Sequence, residues 1–72
     1  MILVHAPLKR DYIIELLNNQ VIDGVEFKLM ARDGMKLKFD HSHDVETAIQ
    51  VAKKAIKSSE YGQALFFNVS EI

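Results

Sequence analysis

Apolar and polar positions along the chain follow the spacing of strands at some points and of helices at others. Residues 1–5, Met-Ile-Leu-Val-His, form a short and almost wholly apolar run, typical of a strand buried on both faces. A helix is predicted next, because Pro7 suits a first helical position and apolar residues then recur at helical spacing. This apolar stripe consists of Leu8, Tyr12, Ile13, Leu16 and Leu17. Asn18-Asn19-Gln20 weakens the helix, and Asp23-Gly24 ends the connection to the next element.

A β-hairpin is predicted around Asp33-Gly34, because the flanking residues 25–31 and 35–40 both alternate with a period of two. A two-residue loop at Asp33-Gly34 would set apolar residues opposite lysines and mix the two faces of the sheet. A three-residue loop over 32–34 keeps the faces separate, so we predict that loop. The predicted pairs are Leu29 with Leu37 and Phe27 with Phe39.

A second helix is predicted after residue 42, with Ser42 as its N-cap and Asp44 in its first turn. Six apolar residues then recur at three- and four-residue spacing and predict a core-facing stripe. They are Val45, Ala48, Ile49, Ala52, Ala55 and Ile56. Ser58, Ser59 and Gly62 end this helix, and residues 64–69 read as the last strand.

The order strand, helix, strand, strand, helix, strand predicts an α+β fold. Two right-handed crossovers around the hairpin give a ferredoxin-like split βαβ sandwich (βαββαβ). Its four-stranded antiparallel sheet is expected in the order fourth, first, third, second, with both helices on one face. A chain of 72 residues has no room for a second core, so residues 1–72 are expected to form a single domain.

The composition excludes several classes of protein. The chain has no cysteine, which removes disulfides, thiolate metal sites and a cysteine nucleophile. A net charge of −1 lacks the positive field of a general nucleic-acid binder. The apolar start is too short for a signal peptide or a membrane span, so we expect a cytoplasmic protein without membrane association.

The face of the sheet without helices, here called the helix-free face, is expected to be half apolar and half charged. The residues predicted to form an interaction surface there are Leu3, Met30, Phe66, Lys28, Lys36 and Lys38. The predicted register also places Lys28 opposite Lys38. Because exposed apolar patches mark interaction surfaces, we expect a homodimer that buries this face or pairs the last strand edge to edge. A protein or a small anionic ligand is the other partner that the lysines would suit.

Two other activities find less support in the sequence. An RNA-binding module of this topology needs aromatic rings on its central strands, where Leu3, Lys36 and Lys38 are expected instead, so a nucleic-acid partner is disfavoured. Neither a strand–turn–helix serine motif nor a glycine-rich phosphate loop is present. We therefore expect a binding or regulatory module rather than an enzyme, with no cofactor other than a divalent metal.

That metal, or an anion, is the alternative function suggested by residues 40–44, Asp-His-Ser-His-Asp. His41 and His43 are spaced to point to the same side of an extended chain, and Asp23 and Glu71 could approach them at the same end of the sheet. An anion held at the start of the second helix is a related possibility. In the purely structural interpretation Asp40 ends the strand, Ser42 caps the helix and Asp44 interacts with its dipole.

Overall fold

One antiparallel sheet of five strands and two helices form the described part of the chain, residues 1–59 and 66–72, in this computed structural model. The elements are β1 (Ile2–His5), α1 (Arg10–Leu17), β2 (Gln20–Ile22), β3 (Val25–Asp33), β4 (Lys36–His41), α2 (Val45–Lys57) and β5 (Asn68–Glu71). The strand order across the sheet is β2-β3-β4-β1-β5. The predicted α+β class is therefore confirmed. Neither helix in these described residues is long and apolar enough to cross a membrane.

The sheet differs from the four-stranded prediction by one strand, β2, which pairs with β3 at its outer edge. The turn between them is Asp23-Gly24, with φ of 50° and 81°. Both residues of a type I′ hairpin turn need positive φ, and Asp-Gly is one of the sequences that adopt it most readily. Asp23-Gly24 was expected only to end a connection, so this strand of three residues was not predicted.

The pairing of β3 with β4 corrects the predicted hairpin register. Asp33 lies opposite Lys36, so the loop has two residues, Gly34 and Met35, and Gly34 has φ 58°. A β-bulge at Met30 then shifts the register between Leu29 and Ala31. The predicted pairs are wrong, since Leu29 is opposite Phe39 and Phe27 is opposite His41.

The faces of β4, and of β3 up to the bulge, are nevertheless those predicted, because the bulge supplies the one-residue offset that the longer loop was expected to supply. Phe27, Leu37 and Phe39 are all buried on the helix side. Beyond the bulge Arg32 is also on the helix side, and its guanidinium donates to the carboxylate of Asp11 in α1 at 2.7 Å. The bulge thus sets which side chains of β3 reach the helices.

The core lies between the sheet and the two helices, and its fully or almost fully buried residues alternate along the strands. They are Ile2, Val4, Ala6, Ile13, Leu17, Val25, Phe27, Leu37, Phe39, Ala48, Ala52, Ile56 and Val69. The predicted stripe of α2 is confirmed, with its other members packed against this cluster. The predicted start of α1 is wrong: Pro7 precedes the helix, and Leu8 is 67% exposed.

The last strand is shifted along the chain from its predicted position at 64–69. It begins at Asn68, and Ala64 and Leu65 lie outside the described residues. In the described residues Val69 is buried, Phe67 packs against the core and Phe66 is 83% exposed.

Candidate functional site

The helix-free face carries charged residues that lie opposite residues of the other sign. Lys28 is opposite Asp40, and Lys36 is opposite Asp33. The predicted Lys28–Lys38 pair is therefore wrong, because the observed loop and the bulge together displace the partner of Lys28 by two positions. Cross-strand pairs of opposite charge stabilise a sheet, whereas like charges destabilise it. This half of the face thus matches a solvated surface that is close to neutral.

Lys38 differs from the other two lysines, because its cross-strand neighbours are Ala31 and Leu3. These three residues, with Asp33 and Lys36, line a shallow cavity of about 200 Å³. Leu3 is half-buried, so it forms the apolar floor of this cavity rather than an open patch.

The expected apolar half of the helix-free face is not formed as predicted. Phe66 lies at the end of the sheet, where it lines a separate cavity of about 290 Å³ with His5, Pro7, Phe67 and Asn68. Met30 is at the bulge and is 49% exposed. The structure therefore brings Leu3, Lys36 and Lys38 together, and places Phe66, Met30 and Lys28 elsewhere on the surface.

Exposed apolar side chains also lie near the end of the sheet where β1 ends, and two of them, Leu8 and Met35, were not predicted to be exposed. Ala6 donates its backbone N–H to the carbonyl of Met35 at 2.8 Å, which brings the β3–β4 loop beside the residues that follow β1. Leu8, Met35 and Phe66 are 67%, 47% and 83% exposed near this end. Leu8 had been assigned to a helix stripe and Met35 to a strand, so neither pattern marked an exposed surface.

The outer edge of β5 presents backbone hydrogen-bonding groups. Ile72 donates to the carbonyl of Met1 at 3.4 Å, and hydrogen-bonded pairs alternate along an antiparallel ladder. Ser70 and Asn68 therefore use their backbone groups on β1, whereas Val69 and Glu71 direct theirs away from β1. Among the described residues no strand lies on that side of β5. Such an edge is a template for pairing with another strand.

Residues 40–44 have local structural partners at the end of β4. Ser42 continues the β3–β4 ladder, because its backbone N–H donates to the carbonyl of Glu26 at 3.1 Å and its Oγ accepts from the Glu26 N–H at 2.8 Å. Ser42 is thus not the N-cap of α2. Asp44 is the N-cap, and its carboxylate accepts from the N–H and the hydroxyl of Thr47 at 3.1 and 2.8 Å.

The two histidines of this segment interact with Ser42 in different ways. His41 Nδ1 lies 3.1 Å from the Ser42 carbonyl oxygen, and its buried Nε2 has no hydrogen-bond partner. His43, which has φ 65°, is exposed, and its Nδ1 lies 3.0 Å from Ser42 Oγ. The backbone leaves the extended conformation at His43, so the two rings do not continue the extended geometry that the metal hypothesis assumed.

The residues of the metal hypothesis are not brought together as a ligand set. Asp23 is in the β2–β3 turn, and Glu71 lies opposite Ile2 in β5. Across residues 1–59 and 66–72 no group of three or more His, Asp or Glu side chains is arranged to hold a metal ion. His5 pairs with Lys36, at the end of β4 opposite to His41.

An anion at the start of α2 is disfavoured by Asp44. The hydrogen bond from the Thr47 hydroxyl, followed by that from the Thr47 N–H, holds the pKa of the Asp44 carboxyl below its ordinary value. A carboxylate therefore already occupies the position at which an anion would meet the helix dipole.

Comparison of the chain with protein-family models, curated proteins and solved structures gave no match.

Proposed function

We propose that this protein is a binding or regulatory module, not an enzyme, that acts as a homodimer through its sheet edge or its helix-free face. We also propose that its fold is a ferredoxin-like core extended by β2. The neighbours of β3, β4, β1 and β5 and the position of both helices on one side support that proposal.

The observation that carries the homodimer proposal is the open edge of β5. Proteins blunt exposed edges with very short strands, lysine, proline or bulges. The other edge strand, β2, has three residues and is therefore short. The edge strand β5 (Asn-Val-Ser-Glu) is one residue longer and carries one charged residue, Glu71, but it has neither lysine nor proline, and the exposed side chains of Phe66 and Ile72 lie beside it. Association would add buried apolar area to a small core.

Sedimentation velocity over a wide range of protein concentration tests this proposal. We expect the mass to approach that of a dimer as the concentration rises, because edge pairing satisfies backbone groups of both copies. Lys38→Glu on the helix-free face and Phe66→Glu beside β5 would assign the dimer to one surface or the other. A protein that stays monomeric at millimolar concentration contradicts the homodimer.

A metal- or anion-binding protein that uses His41 and His43 is the second candidate, and the unpartnered Nε2 of His41 is the observation that favours it. Titration with Zn²⁺ and, separately, inorganic phosphate while the histidine ring NMR signals are followed tests it. Saturable shifts of both His41 and His43 would support this site, and unchanged signals at millimolar ligand would eliminate it.

RNA binding is a lesser alternative, because the central strands carry no aromatic side chain on the helix-free face.

A further inference from the structure

We infer that the partner at the β5 edge is a second copy of this chain, paired antiparallel about a two-fold axis through Val69. The two five-stranded sheets then form one continuous sheet. This inference rests on the proposed homodimer and specifies its interface, because the sequence around β5 is complementary to itself in one register only.

The directions of the backbone groups restrict where the two-fold axis can lie. Val69 and Glu71 direct their N–H and C=O groups to the open edge, as shown by the ladder to β1. Phe67 precedes β5, and its groups would also point outward if the strand continued to this residue in the dimer. With the axis at Val69, Val69 bonds to Val69 of the second copy and Phe67 bonds to Glu71 of the second copy.

In this register the side chains of the remaining residues lie opposite side chains of similar polarity. Phe66 of one copy lies opposite Ile72 of the other, and these residues are 83% and 59% exposed in the single chain. Asn68 lies opposite Ser70, so a polar residue meets a polar residue on the helix-free side. Opposed residues that are not hydrogen-bonded approach most closely, about 4.5 Å between Cα atoms, which brings the Phe66 and Ile72 side chains into contact.

The neighbouring register, with the axis at Ser70, is less complementary. It sets Ile72 opposite the polar Asn68 and Val69 opposite the charged Glu71, and leaves Phe66 without a residue of the second copy opposite it in 66–72. Because two exposed apolar residues become partners only when the axis lies at Val69, a second copy suits this edge better than an unrelated strand.

Two substitutions test which surface forms the dimer. Phe66→Glu replaces an exposed side chain and places a carboxylate against Ile72 of the second copy, so we expect the dimer dissociation constant to rise at least tenfold. Val21→Glu is the matched control, because Val21 is 65% exposed on β2, the opposite edge of the sheet. The control should leave the dissociation constant unchanged, and circular dichroism checks that both variants fold.

Disulfide cross-linking tests the register, since the chain has no cysteine of its own. Asn68→Cys and Ser70→Cys are each prepared alone and then mixed under mild oxidation. In the inferred register the two variants cross-link with each other, because opposed residues about 4.5 Å apart at Cα fit disulfide geometry. Neither variant should cross-link with itself to a comparable extent.

The outcomes separate this inference from the proposed function. A dimer that forms Asn68→Cys to Ser70→Cys cross-links and is weakened by Phe66→Glu supports both. A dimer in which Ser70→Cys cross-links with itself, or which Phe66→Glu leaves intact, overturns the inferred interface and keeps the homodimer. A chain that remains monomeric overturns both.

Discussion

Asp44 controls the start of α2, although the sequence analysis assigned that role to Ser42. Both residue types are good N-caps, so the local pattern could not separate them. The choice depends on the β3–β4 register, which commits Ser42 to the backbone of Glu26. That register depends in turn on a bulge, and no local sequence signal identified the bulge. Long-range pairing therefore decided the role of each residue in this segment.

Replacement of Asp44 by alanine removes the cap and leaves the Thr47 N–H without its acceptor. We expect the melting temperature to fall by about 5 °C, the order found for loss of an N-cap in a small domain. Asp44→Asn is the matched control, because asparagine also caps well and should keep most of the stability. An unchanged melting temperature in Asp44→Ala would show that the helix start is held by other contacts.

The pH dependence of stability provides a second test of the same residue. The Thr47 hydrogen bonds lower the pKa of Asp44 in the folded protein below its ordinary value of 3.8. The contribution of this carboxylate is therefore complete above the unfolded-state pKa and is lost as the pH falls through the folded-state pKa. Urea midpoints measured from neutral to acidic pH should show a gap between wild type and Asp44→Asn that narrows or reverses in acid. A gap independent of pH would contradict the shifted pKa.

At the scale of the elements, the alternation of apolar and polar residues in β3 and β4 did not determine the register in which the two strands pair. The alternating residues of β3 and β4 correctly predicted which side chains face the core. The same parity is produced either by a three-residue loop or by a two-residue loop with a bulge, so parity alone could not give the pairs. In contrast, β2 could have been predicted, because Asp23-Gly24 between Val21-Ile22 and Val25 is a strong hairpin signal.

Deletion of Met30 tests the bulge directly. The residues on either side of Met30 already have consecutive partners in β4, so the deletion should leave every pair and both faces unchanged. We expect the free energy of unfolding to change by less than about 1 kcal/mol, since only the unpaired residue is lost. Deletion of Lys28 is the matched control: it would turn the buried Phe27 to the solvent face, at a cost on the order of 3–5 kcal/mol.

Urea unfolding and amide NMR spectra measure both deletions. Comparable losses of stability in the two variants would show that the bulge is not a simple one-residue insertion.

The β2–β3 turn gives a separate prediction. Gly24 has φ 81°, and a Cβ added there would meet no atom within 4 Å. Gly24→Ala should therefore destabilise the protein through backbone conformation alone, by about 1 kcal/mol in urea unfolding. Gly24→Asn should cost less, because asparagine tolerates positive φ better than alanine. Equal losses in the two variants would argue against a turn that requires positive φ.

At the scale of the whole molecule, the α+β class could be predicted because the spacing of apolar residues distinguishes strands from helices, whereas the predicted four-stranded sheet omitted β2. The interaction surface could not be predicted in the same way. It depends on where β5 begins and on which backbone groups β1 already uses, and both follow from the assembled sheet. Phe66 was correctly expected to be exposed, but its neighbours are His5 and Pro7 instead of Leu3.

If the open edge of β5 joins two copies, the stability of the fold is coupled to protein concentration. Folded dimers are favoured over unfolded chains by mass action, by up to about 2.7 kcal/mol per dimer for a hundredfold rise in concentration. Thermal unfolding of the wild type should therefore shift upward by several degrees over that range.

The same measurement on variants assigns this shift to the β5 edge. Phe66→Glu should unfold at nearly the same temperature at every concentration, because its dimer is weakened. Val21→Glu should shift with concentration as the wild type does, at a lower melting temperature because its new carboxylate lies opposite Glu26. A wild-type melting temperature that does not change with concentration would mean that the core of one chain stabilises the fold without help. Among the described residues, no group would then meet the outward backbone groups of Val69 and Glu71.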